Sequence, residues 1–258
     1  MNLGLEGARV LVTAGASGIG LATAQAFRAE GARVHVCDVD AASLAALASN
    51  APDVGRSQCD VADSAAVDHL FRTVAENLGG LDVLVNNAGI AGPTAPCEEV
   101  TLSDWERTLA VNLTGQFLCA RRAIPLLRAS RNASMANLSS AAGRFGFPMR
   151  SPYAASKWAV IGFTRSLSIE LGADGIRVNA ICPGSVAGPR IDAVFANKAQ
   201  VRGVPPEQIR QEALAKTSLG QLIEPEDIAH AIVFLASRAG ARISGQAIGV
   251  DADVQALV

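Results

Sequence analysis

The sequence has few aromatic residues, little net charge and no long apolar run. Aromatic residues occupy 4% of its 258 positions, and there is a single tyrosine, Tyr153. The formal net charge of −2 argues against nucleic acid or an anionic membrane as the main partner. No apolar run reaches the roughly 18 residues of a membrane span, and the first residues, with Glu6 and Arg9, lack the layout of a signal peptide. We therefore expect a cytoplasmic chain without nucleic-acid or membrane partners.

Cysteine and histidine are also scarce. The five cysteines are odd in number, form no CxxC pair and are scattered along the chain, at Cys37, Cys59, Cys97, Cys119 and Cys182. The three histidines show no metal-ligand spacing. This usage suits reduced thiols better than a disulfide framework, and we expect no metal site.

Short β-branched runs alternate with helical patterns along the whole chain. Strands are predicted at 9–13, 33–38, 81–87, 135–140, 176–184 and 246–251, and helices at 21–30, 64–78, 104–127, 152–171 and 225–237. Several strands are uniformly apolar, which predicts an α/β fold with a parallel sheet covered on both faces. No linker interrupts the pattern, so we expect one domain over 1–258. The least regular stretch, 188–218, is expected to be a flap over a site or a mobile loop.

A glycine-rich turn joins the first strand to the first helix. Residues 13–20 read TAGASGIG, with Gly15, Gly18 and Gly20. Glycine lets the backbone approach a pyrophosphate, and the helix N-terminus offers free N–H groups. Asp38 ends the next strand, where its carboxylate would bond a ribose 2′-hydroxyl and repel a 2′-phosphate. No Lys or Arg stands in the turn or just after Asp38, so the pattern favours NAD over NADP. The alternative is a tight turn beside a solvated carboxylate.

Tyr153 and Lys157 lie four positions apart, on one face of a predicted apolar helix. A phenol has a pKa near 10, but an ammonium about 4 Å away at an effective dielectric constant of about 20 favours phenolate by about 4 kcal/mol. The pair could therefore serve general acid–base catalysis, or be an ordinary tyrosine and lysine on a helix. Ser140 ends a strand 13 residues earlier, at an edge where open α/β sheets bind ligands. Asn112, within a helix, is by itself typical of a packing residue.

Together these segments resemble the short-chain dehydrogenase/reductase family over essentially the whole chain. The residues that carry the resemblance are TAGASGIG at 13–20, Asp38, DV at 60–61, NNAG at 86–89, Asn112, NLSSAAG at 137–143, YAASK at 153–157 and PG at 183–184. The resemblance implies a single Rossmann-like, doubly wound domain with a mostly parallel seven-stranded sheet. It also implies a homotetramer.

The same resemblance assigns roles to residues. Tyr153 would be the acid–base group and Lys157 would lower its pKa and bond the nicotinamide ribose. Ser140 would polarise the substrate oxygen, and Asn112 would hold a water that links Lys157 to solvent. The remaining implied cofactor contacts are Gly15, Ser17, Gly18, Ile19, Gly20, Asp38, Asp60, Val61, Asn87, Ala88, Gly89, Pro183, Gly184 and Val186.

Three positions depart from the family pattern. Ala14 stands where the turn usually has glycine, so we expect a slightly altered turn that keeps its site. Gly188 replaces a frequent threonine that bonds the carboxamide, so backbone groups would carry more of that contact. The usual Asp-Gly-Gly near the C-terminus is Asp251-Ala252-Asp253.

The expected activity is hydride transfer between NAD and a small secondary alcohol or its ketone. Arg144, Arg150 and Arg190 fall near the expected substrate side, where one of them could bind an anionic group or all could serve solubility. The alternatives are a 3-oxoacyl-carrier-protein reductase, which would resemble NADP users, and a non-catalytic nucleotide-sensing protein. A nucleotide-sugar epimerase is disfavoured because 258 residues leave no room for a separate substrate domain.

Overall fold

The computed structural model describes residues 3–258, and the strands among them form one seven-stranded sheet. Its order is β3-β2-β1-β4-β5-β6-β7, and every neighbouring pair is parallel. The strands are β1 (Arg9–Thr13), β2 (Arg33–Asp38), β3 (Gly55–Gln58), β4 (Val83–Asn86), β5 (Ser134–Leu138), β6 (Arg177–Pro183) and β7 (Ala247–Val250). The predicted doubly wound α/β fold with a parallel seven-stranded sheet is confirmed.

Helices cover both faces of this sheet. They are α1 (Gly18–Ala29), α2 (Ala41–Asn50), α3 (Ser64–Leu78), α4 (Leu102–Leu109), α5 (Gly115–Leu127), α6 (Ser151–Glu170), α7 (Pro189–Arg202), α8 (Pro206–Leu214) and α9 (Pro225–Ala236). Alternate residues of β1 point to opposite faces, so Val10 and Val12 pack with α1, α2 and α9. Leu11 packs on the other face with α3, α5 and α6. Among residues 3–258, no helix combines the length and apolar character needed to cross a bilayer.

The strand order reverses between β1 and β4. The chain runs from β1 outward to β2 and β3, then returns across the sheet to β4. At such a switch point the loops after the two strands diverge and leave a crevice at their carboxyl ends, where open α/β sheets bind ligands. The glycine turn after β1, the NNAG segment after β4 and Ser140 after β5 all lie at this edge.

The helix predicted over 104–127 is not continuous. It begins at Leu102, because the Thr101 side chain caps it by accepting a hydrogen bond from the N–H of Asp104. A π-helical turn at Ala110–Thr114 then separates α4 from α5. The wider turn shifts the helical register by about one residue, and it carries Asn112.

The prediction of irregular structure over 188–218 is wrong, since α7 and α8 occupy most of it. Pro189 starts α7 because its fixed φ suits the first helical turn. The buried face of α7 is Val194, Phe195, Lys198 and Ala199. Because the charged Lys198 lies on this buried face, the apolar residues of α7 do not recur with a clear helical period in the sequence. The sequence pattern also did not predict the polar edge strand β3 (GRSQ) or helix α2.

Candidate active site

The three glycines of the first turn meet different surroundings. A Cβ on Gly15 would lie 2.6 Å from Val36, and one on Gly20 would collide with the carbonyl of Ala14. Gly18, with φ of +49°, faces open space. Ser17 caps α1 without a side-chain hydrogen bond, so the first N–H groups of the helix remain available, and Ile19 packs against the core behind them. This arrangement fits a pyrophosphate at Gly18, while Gly15 and Gly20 permit close packing.

Asp38 points from the end of β2 toward the same turn. Its carboxylate accepts hydrogen bonds from the N–H of Ala16 (3.2 Å) and of Asp40 (3.1 Å), and the residue is 8% exposed. The carboxylate is therefore fixed beside the glycine turn. Its charge suits a ribose hydroxyl and opposes a phosphate at that position.

Thr13, which the sequence analysis did not single out, joins the two turns of the crevice. Its hydroxyl accepts hydrogen bonds from the N–H groups of Asn87 (2.9 Å) and Ala88 (3.0 Å). The Asn87 side chain donates to the carbonyls of Thr13 and Ala14, each at 3.0 Å. Asn87 therefore fixes the glycine turn by its side chain. A hydroxyl at the end of β1 is the only sequence signal for this role.

The other predicted adenosine contacts lie after β3. One carboxylate oxygen of Asp60 pairs with Arg107 at 3.1 Å, and the other accepts from the N–H of Ala62 at 2.9 Å. Val61 is buried and packs against the start of α5, where a Cβ on Gly115 would lie 2.7 Å away. Arg107 was not predicted, and it orients Asp60.

The segment after β6 places backbone groups at the far end of the crevice. Pro183 pairs with Val250, and Gly184 donates its N–H to the carbonyl of Val250 at 3.0 Å. Val186 forms a parallel bridge with Ile223 that uses the main chain of Ser185 and Ala187. The bridge leaves the N–H of Val186 for another partner, which fits a carboxamide. Gly188 has φ of +130° and accepts hydrogen bonds from α7, so a threonine would be strained there.

Tyr153 and Lys157 lie on the same side of α6. The Lys157 ammonium is 5.7 Å from the centroid of the Tyr153 ring, and it donates to the carbonyl of Leu138 at 2.7 Å. Burial raises the pKa of Tyr153, but Lys157, Arg190, a hydrogen bond with Ser140 and Arg150 together lower it below its ordinary value. Burial lowers the pKa of Lys157, and the nearby Tyr153 opposes this. The positive side chains around Tyr153 therefore stabilise its phenolate form relative to an isolated buried phenol.

The two serines after β5 have different partners. Ser140 faces Tyr153, and its oxygen also accepts from the N–H of Ala142 at 3.1 Å. Ser139 is buried and donates to the carbonyl of Lys157 at 2.8 Å, so it ties the loop to α6. A Cβ on Gly143 would lie 2.7 Å from that same carbonyl oxygen. The glycine thus allows the loop to pack closely on the helix beside Lys157.

Asn112 projects from the π-helical turn toward the chain after β4. Its oxygen accepts from the N–H of Ile90 at 2.7 Å, and its NH₂ donates to the Ile90 carbonyl at 3.0 Å and to Ser156 at 3.1 Å. One lone pair of the amide oxygen remains. A Cβ on Gly89 would lie 3.1 Å from this oxygen and 3.5 Å from the Lys157 nitrogen, so both atoms face the same small space.

The other positions that depart from the family pattern adopt backbone conformations that favour glycine. Ala14 has φ of 49°, in the left-handed region that favours glycine, and the turn is retained. Ala252 and Asp253 also adopt positive φ values, 55° and 54°. Asp251 accepts from the N–H of Asp253 at 3.2 Å and pairs with Arg144 at 3.0 Å. The C-terminal turn is thus formed without glycine.

The fold and the switch-point crevice define a doubly wound, Rossmann-like α/β protein. A family model described as "Enoyl-(Acyl carrier protein) reductase" matches residues 13–253. The chain belongs to the short-chain dehydrogenase/reductase family, whose members are oxidoreductases acting on alcohol and ketone groups with a nicotinamide cofactor. The resemblance seen in the sequence motifs is confirmed.

Individual relatives align along nearly their full length. The 3-oxoacyl-[acyl-carrier-protein] reductase of Thermotoga maritima is 37% identical, over 96% of this chain and 97% of that protein. The cis-4-hydroxycyclohexanecarboxylate dehydrogenase of Sinomonas cyclohexanicum is also 37% identical, over 93% of this chain and 94% of that protein. A variant of the actinorhodin polyketide ketoreductase, solved with NADPH, superposes with a TM-score of 0.90 at 30% identity, covering 95% of this chain and 96% of that one.

Proposed function

We propose that this protein interconverts a small secondary alcohol and its ketone by hydride transfer, with NAD as cofactor. The observation that carries the proposal is the placement of Tyr153, Lys157 and Ser140 together at the crevice that also presents the glycine turn. NAD when bound accepts or supplies the hydride. The cis-4-hydroxycyclohexanecarboxylate dehydrogenase supports an alcohol as the reduced substrate.

Each polar side chain of the site has a separate role in the proton transfer. The Ser140 hydroxyl donates a hydrogen bond to the substrate oxygen and orients it toward Tyr153. The Tyr153 phenolate then accepts the alcohol proton during oxidation, and the phenol returns it during ketone reduction. Lys157 stabilises the phenolate by its charge. Asn112 holds a water at its remaining lone pair, through which the proton reaches solvent.

The preference for NAD rests on Asp38. Its carboxylate is held by two backbone N–H groups beside the turn, so it does not swing away from a 2′-phosphate without losing both bonds. The other proposed adenosine contacts are Asp60, Val61 and the 87–89 segment. The proposed contacts at the nicotinamide end are Pro183, Gly184 and Val186.

A second candidate is a 3-oxoacyl-carrier-protein reductase. The Thermotoga maritima relative carries that name, and a structural neighbour was solved with NADPH. A kcat/KM for NADPH more than about tenfold above that for NADH would favour this activity over the NAD-dependent one.

The most direct test is a panel of secondary alcohols with NAD, comparing wild type with Tyr153→Phe. The variant is expected to lose turnover by at least about a hundredfold, the usual contribution of an acid–base group, while its Kd for NAD stays within a few-fold. Unchanged turnover contradicts the mechanism. Intact NAD binding with no turnover of any alcohol by the wild type supports the nucleotide-sensing alternative.

We also propose a cytoplasmic homotetramer made of one domain over residues 1–258, in which the 188–218 segment covers the substrate. Five free cysteines among the described residues are compatible with a reducing compartment. Phe117 on α5 and Trp158 on α6 are 45% and 53% exposed, which suits a subunit interface. Light scattering coupled to size-exclusion chromatography tests the assembly.

A further inference from the structure

Cations collect on the substrate side of Tyr153. The guanidinium of Arg150 lies 5.5 Å from the ring centroids of both Tyr153 and Phe147. Lys198 lies on α7, and its ammonium is 4.0 Å from the centroid of the Phe147 ring. Arg190, at the start of α7, reaches across the crevice and donates to the carbonyl of Gly89 at 3.0 Å. The three side chains therefore surround the mouth and wall of one site.

In the part of the chain that the structure describes, no acidic side chain pairs with these cations. Among residues 3–258, neither Arg150, Arg190 nor Lys198 forms an ion pair with a carboxylate side chain. The loop 139–150 contains two arginines and no acidic residue, and α7 contains one exposed aspartate, Asp192. Burial, together with Arg150 and Arg202, lowers the pKa of Lys198 to about 8, and burial lowers the pKa of Arg150. Acidic side chains of the described residues therefore do not neutralise this positive charge, which raises the local concentration of anions.

Arg150 and Lys198 are buried, so they act on a ligand from a distance. Arg150 is 2% exposed and donates to the carbonyl of Ala91 (2.6 Å) and to Thr94 (3.2 Å). Lys198 is 3% exposed and donates to a main-chain oxygen of Val258, the last residue of the sequence. The cavity that Lys198 lines has about 30 Å³, room for about one water molecule and not for a carboxylate.

Arg190 is the cation that a ligand can reach. Arg144, the other arginine near this side, is paired with Asp251. Arg190 is exposed, and its hydrogen bond to the carbonyl of Gly89 uses one of its five N–H groups. The remaining donors form a planar fork that matches a carboxylate.

We propose that the substrate carries a carboxylate or similar anionic group in addition to the reacting alcohol, and that Arg190 binds this group while Arg150 and Lys198 supply the surrounding positive potential. The inference rests on the proposed oxidoreductase function and specifies its substrate class. Neutral alcohols of the same shape are then the poorer substrates.

The experiment measures oxidation with NAD of matched pairs: 3-hydroxybutyrate and its amide, and 4-hydroxycyclohexanecarboxylate and its amide. For the wild type we expect kcat/KM at least about tenfold higher for the carboxylate, the size of one charge-assisted hydrogen bond. Arg190→Gln is expected to reduce the carboxylate-to-amide ratio at least tenfold, mainly through KM. Arg190→Lys keeps part of the ratio because it keeps the charge.

Arg165→Gln, on the exposed side of α6, is the matched control and is expected to leave the ratio unchanged. A wild-type ratio near one, or a ratio within twofold of wild type in Arg190→Gln, overturns the inference. Turnover of neutral alcohols with no preference for the acids overturns it while the proposed function stands. If the wild type oxidises no alcohol at all, the proposed function itself fails.

Discussion

The two sides of the crevice recognise their ligands with different groups. On the side of β1, β2 and β4, the available groups are backbone N–H groups and one carboxylate, Asp38, and the buried His35 behind them has its pKa lowered by burial to about 4. On the side of β5 to β7, the buried titratable side chains around Tyr153 include the cations Arg150, Lys157 and Lys198. We infer that the first side is built for a ligand of fixed structure, and that the second is tuned to substrate charge.

The largest effect is expected when the cation beside Tyr153 is removed. Lys157→Met is expected to reduce turnover near pH 7 by about a hundredfold or more, because the Tyr153 pKa rises when the ammonium is lost. Oxidation needs the phenolate, so the acidic limb of the pH–rate profile shifts to higher pH and part of the activity returns there. The measurement is kcat against pH between 6 and about 10.

Tyr153→Phe serves as the control for this shift, since it lacks the hydroxyl and its loss is not recovered at high pH. A Lys157→Met profile parallel to that of the wild type would mean that the lysine acts only in binding. In that case the positive charge of the substrate side has no part in the proton transfer.

The pH dependence of the unfolding free energy tests whether His35 is neutral in the folded protein. Its ordinary pKa of 6.5 falls to about 4 in the fold, so the unfolded chain binds more protons between these values. Stability is therefore fully present above about pH 6.5 and decreases as pH falls to about 4, by roughly 3 kcal/mol. His35→Gln removes this part of the slope in urea unfolding. His230→Gln, at an exposed position on α9, is expected to keep it; equal slopes for wild type and His35→Gln would contradict the expectation.

Asp38→Ala tests the charge of the cofactor side. Without the carboxylate, the kcat/KM ratio of NADP to NAD is expected to rise at least about tenfold, since the repulsion of the 2′-phosphate and the bond to the 2′-hydroxyl are both lost. Asp40→Ala is the matched control, because Asp40 caps α2 by accepting from Ala42 and Ser43 and is not placed at the ribose. An unchanged ratio in Asp38→Ala would remove the charge argument for NAD.

The sequence predicts the parts of the site in which the backbone limits the choice of residue. Gly18 and Gly20 are recognisable because a side chain would block a ligand or collide with Ala14. Lys198 and Phe147 carry no such signal, since only the packing of α7 on the 139–150 loop brings them together. The π-helical turn at Asn112 is also missed, because one extra residue in a helix leaves the apolar period nearly intact. The fold was predictable from strand and helix alternation, except where polar β3 and the interrupted faces of α7 and α8 conceal it.

The smallest effect is expected on the unfolding free energy, at residues on both sides of the crevice that adopt glycine-like backbone conformations. Ala14 and Ala252 have φ of 49° and 55°, which strains a residue with a Cβ by about 1–2 kcal/mol. Glycine relieves this strain but costs about 0.5–1 kcal/mol of chain entropy. Ala14→Gly and Ala252→Gly are therefore each expected to raise the unfolding free energy by up to about 1 kcal/mol, measured by denaturant titration. Ala16→Gly, at an ordinary φ, should lower the unfolding free energy. A higher unfolding free energy in Ala16→Gly, or a lower one in both Ala14→Gly and Ala252→Gly, would show that the two turns are not strained.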